Sequence, residues 1–588
     1  SRDFNSIKKD LVEYAKRYYP ESYRDFSENS FGSLMIENIA YIGDILSFYL
    51  DYQVNESFLD TATEYNNVIR HGRQMGYKFR GATSAYGECD FYVEIPSNTI
   101  GLGPDTTYIP ILKKGAIVSS IEGGSYVLTE DLNFNNPSNI TVVGQQNTTT
   151  GRPTTYIIKA PGKVVSGEFG TEEVVVGNFE RFKKLKLVTT DIVEIISVFD
   201  NEGHEYFEVD YLSQDVVYRD VLNRNRISSD DEPAAILKPY SAPRRFTMER
   251  TRRNTFLQFG YGSDSEVNKS TLLDPTEVVM QLHGKDYTSD TTFDPTKLLD
   301  TDKFGISPSN TTLVIRYRRN VSGATNASAG SINKIGEFSL QFKDPSSLTA
   351  AKRGTVNRSL EVSNNDPIVG NVSNPSRAQL KETISGVFAA QNRAVTEQDY
   401  KSLIYAMPPQ FGGVKRCALY RDSDSFRRNL NLYILSEDNN GYLTTSNNTI
   451  KENLKTWIGQ NKIINDTIDI LDAKIINIQI EFKAVSAVGA DKFNVQTNAI
   501  SRLKALYTTK FDIGQPFDIS EAYNVLNKTR GIVDVTNVRV TNKFGGEYSN
   551  IGYNIRENTS ADGRYIDMPK NVILEIKFLD TDIKGTIT

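Results

Sequence analysis

One stretch constrains this chain more than any other. From Phe31 to Leu59 there is no proline and there are only two glycines, so little in it opposes a long helix. Within it Met35, Ile39, Ile42, Leu46 and Tyr49 recur at alternating spacings of four and three, a heptad seam. Tyr41, Ile45, Phe48 and Tyr52 make a second seam on another face. A helix with two apolar seams has to touch more than one neighbour. Two arrangements meet that need: a central helix inside its own domain, or a helix bundle shared with other chains. Residues 1–85 therefore read as an N-terminal helical region that supplies bundle helices.

Downstream the period changes from helical to alternating. Residues 86–190 and 191–372 read as two β-rich domains. Glu88 to Ile95 is a strand. Ile192 to Phe199, the turn Asp200-Asn201-Glu202-Gly203, and Tyr206 to Val209 form a hairpin. Leu313, Ile315 and Tyr317 alternate with Val314, Arg316 and Arg318.

Residues 373–545 read as a mixed α/β domain. Asn374-Pro375 opens a helix with Leu380, Ile384 and Val387 on its apolar side. Thr396-Glu397-Gln398-Asp399 resembles a capping box, and Pro408-Pro409 ends the helix that follows. A third helix carries Ile450, Leu454 and Trp457 and is expected to stop at Gly459. Ile476, Ile478, Ile480 and Phe482 alternate with polar residues, as in a half-buried strand. Residues 546–588 form a C-terminal extension. Its last strand puts Val572, Leu574, Ile576 and Phe578 on one face and is expected at a sheet edge. The expected fold class is multidomain α+β: N-terminal helices, central β-rich domains and a C-terminal α/β domain.

The chain has 588 residues, room for three to five domains at roughly 150 residues each. Its formal net charge is −6, without the basic excess of a nucleic-acid-binding protein. The two cysteines, Cys89 and Cys417, are expected to be free buried thiols, as in a reducing compartment. No apolar signal core is seen at Ser1-Arg2-Asp3-Phe4, and no run approaches the ~18 apolar residues of a membrane span. The Asn-x-Ser/Thr sequons at Asn139, Asn310, Asn326 and Asn558 are read as compositional, with no glycosylation.

Catalytic constellations are sparse. The three histidines, His71, His204 and His283, are scattered. His204-Glu205-Tyr206-Phe207-Glu208 lacks the second histidine of a zinc-protease helix and reads as strand. No G-x-S-x-G elbow or C-x-x-C pair occurs. Gly101-Leu102-Gly103 and Gly260-Tyr261-Gly262 lack the residues of a phosphate loop and suit turns. Asp230-Asp231-Glu232 and Asp300/Asp302 offer carboxylates, but in polar stretches that read as solvated loops. Arg244-Arg245, Arg250, Arg252-Arg253, Arg316 and Arg318-Arg319 read as a solvated sheet face or a docking patch for an acidic partner. The expectation is a non-enzymatic protein with no catalytic residue, cofactor or metal.

Three segments resemble one family. Phe58-Leu59-Asp60-Thr61-Ala62-Thr63, followed by Val68-Ile69, Gly76-Tyr77-Lys78 and Arg80, resembles the N-terminal signature of the baseplate J-like family. Arg393-Ala394-Val395-Thr396-Glu397-Gln398-Asp399-Tyr400 resembles its central signature. Phe511-Asp512-Ile513-Gly514-Gln515-Pro516-Phe517, with Asp562-Gly563-Arg564 and Asp582-Ile583-Lys584-Gly585, is similar to the ring-forming wedge subunit of T-even-type contractile-tail phages. The resemblance spans most of the chain and is loosest over 100–370. It implies a structural subunit of a phage-tail baseplate, assembled in the host cytoplasm and residing in the virion. It also implies two copies per wedge, wedges joined in a ring around a central hub, and a part in transmitting the change that triggers sheath contraction. The implied partners are itself, other wedge subunits, a sheath-initiating subunit and the hub, with no nucleic acid. The seam residues of Phe31–Leu59 would be the bundle interface. A tail-associated glycan depolymerase and the homologous baseplate subunit of a bacterial contractile injection system are the alternatives. A ring built from paired copies needs two different self-contacts. One is expected in the N-terminal helices and the other in 375–588, with hinges near 80–86 and 365–375.

Overall fold

The computed structural model describes residues 3–21, 30–98, 103–222, 235–263, 304–320, 325–346, 348–422, 429–508 and 511–588. Its α-helices are α1 (Phe4–Tyr18), α2 (Phe31–Glu56), α3 (Tyr65–Gln74), α4 (Ala350–Arg358), α5 (Arg377–Ala390), α6 (Glu397–Tyr405), α7 (Asn448–Asn461), α8 (Lys492–Tyr507) and α9 (Ile519–Asn527). Seven sheets accompany them, so among the described residues the fold is multidomain α+β. The chain forms two compact units, Ser1–Phe79 with Pro375–Ala389, and Arg80–Asn374 with Ala390–Thr588.

The first unit is helical. Asp3 caps α1 by accepting from the Ser6 N–H at 3.0 Å, and Ser30 caps α2 by accepting from Ser33 N–H at 3.1 Å. These short polar side chains satisfy N–H groups that a helix start leaves orphaned. α1 lies along α2, with Lys8 Nζ 2.7 Å from Glu37 Oε1. Gly43 faces Ile7 across this contact, where a Cβ would sit at ordinary van der Waals distance, 3.4 Å, from the Ile7 side chain. α5 closes the other end. Gly72 of α3 faces Ile384 so closely that a Cβ at Gly72 would lie 2.7 Å from Ile384 Cδ1. Arg377 Nη1 donates to the Thr63 carbonyl at 2.6 Å, and Lys381 Nζ to the Asp60 carbonyl at 2.7 Å. Ala62, Val68, Ile69, Tyr77, Leu380 and Ile384 are buried.

The second unit contains two seven-stranded sheets. In the first, Tyr86–Pro96 pairs antiparallel with Thr155–Ser166 along its whole length. In the second, the expected hairpin is present: Ile192–Phe199 pairs with Glu205–Glu208. The strand Thr311–Arg319 lies beside Ile192–Phe199, with Leu313 and Ile315 fully buried. Further along, Thr396 and Asp399 form the expected capping box at the start of α6. α7 runs two residues past Gly459, its expected stop, to Asn461. Glycine lowers helix stability without ending a helix that is packed through Ile450, Leu454 and Ile458.

Three readings change with tertiary context. The strand Lys474–Ser486 is buried on both faces over Ile476–Ile480, not half-buried. Asn477 and Gln479 are inside because their amides find partners: Asn477 Nδ2 donates to Glu575 Oε2 at 3.1 Å, and Gln479 Nε2 to Glu481 Oε1 at 2.7 Å. The last expected edge strand does end its sheet, but it is covered. Val572–Glu575 is shorter than expected, runs parallel to Lys474–Asn477, and has all four residues buried. The arginine patch divides: Arg252, Arg253, Arg316 and Arg319 stay exposed as expected, and three others are internal. Arg245 donates to the Leu212 carbonyl at 2.7 Å and the Ala242 carbonyl at 2.8 Å. Arg250 donates to the Arg80 carbonyl at 2.9 Å, and Arg318 to Glu194 Oε2 at 2.8 Å and Ser84 Oγ at 3.0 Å. All three are buried and serve as internal brackets, whereas Arg316 on the neighbouring position stays exposed.

Candidate functional site

α2 begins at the Ser30 cap and runs 26 residues, yet its only buried residues are Ser33, Ala40 and Glu56. None of these is a large apolar side chain. Every residue of both seams is exposed: Met35, Ile39, Ile42, Leu46 and Tyr49 on one, and Tyr41, Ile45, Phe48 and Tyr52 on the other. Exposure runs from 36% at Ile45 to 66% at Phe48. Phe31, Leu34, Leu50 and Val54 are exposed beside them. Of the two arrangements open from sequence, a helix covered by its own domain does not occur among the described residues.

The faces of α2 can be placed by its 3.6-residue turn. The two seams lie roughly 110° apart around the axis, at ~100° per residue. Ser33, Ala40 and Gly43 occupy the remaining third, and this is the side α1 takes. The helix therefore presents one small-residue face, filled by α1, and two large-residue faces, both open. Phe48 and Tyr52 stack on one open face with ring centroids 6.3 Å apart. α1 buries nothing fully and leaves Tyr14, Tyr18 and Tyr19 exposed. The sequence reading missed the small-residue face; Ser33 and Ala40 one heptad apart are the signal for it.

The base of α2 is fixed by Glu56. Its carboxylate accepts from Thr63 N–H at 2.6 Å, from Asn67 Nδ2 at 2.9 Å and from Thr63 Oγ1. His71 Nε2 lies 2.8 Å from the Glu56 carbonyl. The hydrogen bonds from Thr63 and Asn67 hold the Glu56 carboxyl down to about 2, stabilising its charged form. This anchor sets the direction in which α2 leaves the α3–α5 core.

Among the described residues, candidate chemistry elsewhere does not converge. Cys89 and Cys417 are free and buried. Burial pushes the Cys89 thiol up to about 12 and the Cys417 thiol up to about 11, away from the nucleophilic thiolate. His204 sits in its hairpin 3.1 Å from Asp200 Oδ2. Among the described residues no group of three or more His, Cys, Asp or Glu side chains is placed to hold a metal ion. His283, Asp230-Asp231-Glu232 and Asp300/Asp302 lie outside the described residues. A cavity of about 660 Å³, lined by Tyr442, Tyr548 and Phe578, has its Lys577 over two of those rings and its Glu575 committed to Leu443 N–H and Asn477. No described helix is long and apolar enough to cross a membrane.

Residues 3–74 match the family model described as bacteriophage baseplate protein, N-terminal domain. The match lies within the helical unit and covers α1, α2 and α3. No curated protein matches the chain. Among solved structures, the anti-feeding prophage baseplate, 6-fold symmetrised, shares 9% identity over 98% of this chain and 90% of that one, with a TM-score of 0.25. The type VI secretion system TssK-TssF-TssG baseplate subcomplex shares 8% identity over 75% of this chain and 96% of that one, also at 0.25. Superposition that weak carries no argument about this fold, so the comparison rests on the helical N-terminal segment.

Proposed function

We propose that this chain is a structural subunit of a contractile-tail baseplate and that the two open faces of α2 are where it joins a helix bundle with other chains. One observation carries the reading. The segment that matches the baseplate N-terminal domain contains a helix whose Ser30 cap and Glu56 anchor are built, while both its seams lie open. Exposed apolar area on this scale marks an interaction surface. With α1 on one face and an open seam on each of the other two, α2 has room for two further helices. These come from neighbouring baseplate chains, a second copy of this one among them. In the finer form of this reading the chain is a wedge subunit, present twice per wedge, that links wedges into a ring around the hub and passes on the change that triggers contraction. The chain crosses between its compact units after Phe79, Asn374 and Ala389, and these crossings are where copies with different neighbours would hinge.

Full-length chain carrying Ile42→Asp and Leu46→Asp tests the proposal by baseplate assembly, scored by electron microscopy of purified particles. Assembly is expected to stop while the thermal unfolding of the free chain is unchanged. Normal particles from the double variant would remove α2 as the interface. Saturable release of sugar from host polysaccharide, lost on mutating one acid, would favour the depolymerase.

A further inference from the structure

An exposed sheet edge normally carries a charge or a proline, because unpaired N–H and C=O groups recruit other strands. The described edge strands of three or more residues follow this rule with one exception. Ile332–Ile335 carries Lys334, Glu168–Val176 carries Glu172, Ala235–Ser241 carries Lys238, and Ile532–Lys543 carries Arg539. The exception is Ile140–Val143, whose sequence is Ile-Thr-Val-Val and whose four residues are all exposed. It pairs with Thr155–Ser166 through Ile140↔Lys159 to Val143↔Tyr156, and no described strand pairs with its other side. From Ser138 to Gly151 the chain has no charged residue, although 24% of all its residues are charged. Every residue from Ile140 to Arg152 is exposed.

We infer that Ile140–Val143 is a strand-pairing site for the same strand of a second copy of this chain. An antiparallel, two-fold pairing keeps each side chain on its own face of the sheet, so it sets Val142 against Val142 of the other copy and Thr141 against Val143. All three of these contacts are then between β-branched side chains, which favour each other across strands. Two identical strands can meet this way because neither brings a like charge to face its copy. A charged partner strand would gain nothing from so neutral an edge. A four-residue pairing is smaller than a free-standing interface needs, so it joins copies that other contacts already hold close. The inference is independent of α2.

Cysteine trapping tests it in assembled particles, where other contacts hold the copies close. In the two-fold register Val142 faces Val142 of the other copy, within the Cα separation a disulfide spans. The Val142→Cys variant is expected to give a disulfide-linked dimer on mild oxidation. Thr141→Cys should give far less, because Thr141 faces Val143 of the other copy and not its own counterpart. The native thiols are buried and do not compete. Hydrogen exchange of residues 138–150 supplies a second reading: slower exchange in the particle than in the dilute chain, reversed by Thr141→Lys/Val142→Lys. No dimer from Val142→Cys, or equal dimer from Thr141→Cys, overturns the inference. Protection in the particle without a crosslink assigns the edge to a strand of a different chain, and also overturns it.

Discussion

α2 and the strand Lys474–Ser486 are made of similar residues and end in opposite surroundings. Both are lined with isoleucine and phenylalanine. In the strand, Ile476, Ile478, Ile480 and Phe482 are essentially fully buried, and two polar neighbours are drawn inside with them. In α2, no large apolar residue is buried. The strand is flanked by Ile532–Lys543 on one side and by Val572–Glu575 and Ile583–Ile587 on the other. Gly585 lies so close to the Phe482 ring that a Cβ would overlap it. α2 has α1 alone. Apolar content by itself therefore does not say whether a segment is core; the count of neighbours the same chain supplies does.

This contrast can be broken in order of expected effect. The largest is the loss of assembly in Ile42→Asp/Leu46→Asp, set against a shift in free-chain stability of under about 0.5 kcal/mol by denaturant unfolding, the range for surface changes. A large destabilisation of the free chain would mean that α2 has an internal partner. Phe482→Ala should do the reverse, costing ~3–5 kcal/mol from the lost contacts and the cavity left. Its effect belongs to the free chain, and a near-neutral result would mean the strand is not core.

Gly72→Ala sharpens the comparison inside the helical unit. The new methyl must displace Ile384, an overpacking cost of ~1–3 kcal/mol. The loss should appear as faster hydrogen exchange in α3 and α5, with the exchange of Lys474–Ser486 unchanged.

The smallest effect concerns Glu56. Its folded value of about 2 lies below the ordinary 4.5, so its contribution is complete above about pH 4.5 and is lost as pH falls toward 2. Helicity followed by circular dichroism should fall less between those limits in Glu56→Gln than in the native chain, because the substitution removes that titration. Identical acid profiles would show that the carboxylate does not anchor α2.

Features with a local cause were legible in the sequence. The heptad seams of α2, the Asp200–Gly203 hairpin and the Thr396–Asp399 capping box each rest on residues within a few positions of one another, and each is present. The seams also indicated that α2 needs neighbours. What the sequence could not settle was which neighbours the chain itself provides. Lys381 reaches back 321 positions to Asp60 to close the helical unit, and no period in either segment announces that meeting. Arg318 alternates with Tyr317 as a solvent-facing residue would, but Glu194, 124 positions away, meets it inside. Val572–Glu575 has the pattern of an edge strand and is covered by the tertiary fold. Local periodicity records which side of a segment is apolar. Burial depends on distant surfaces arriving to cover that side, and only the tertiary structure decides which of them do.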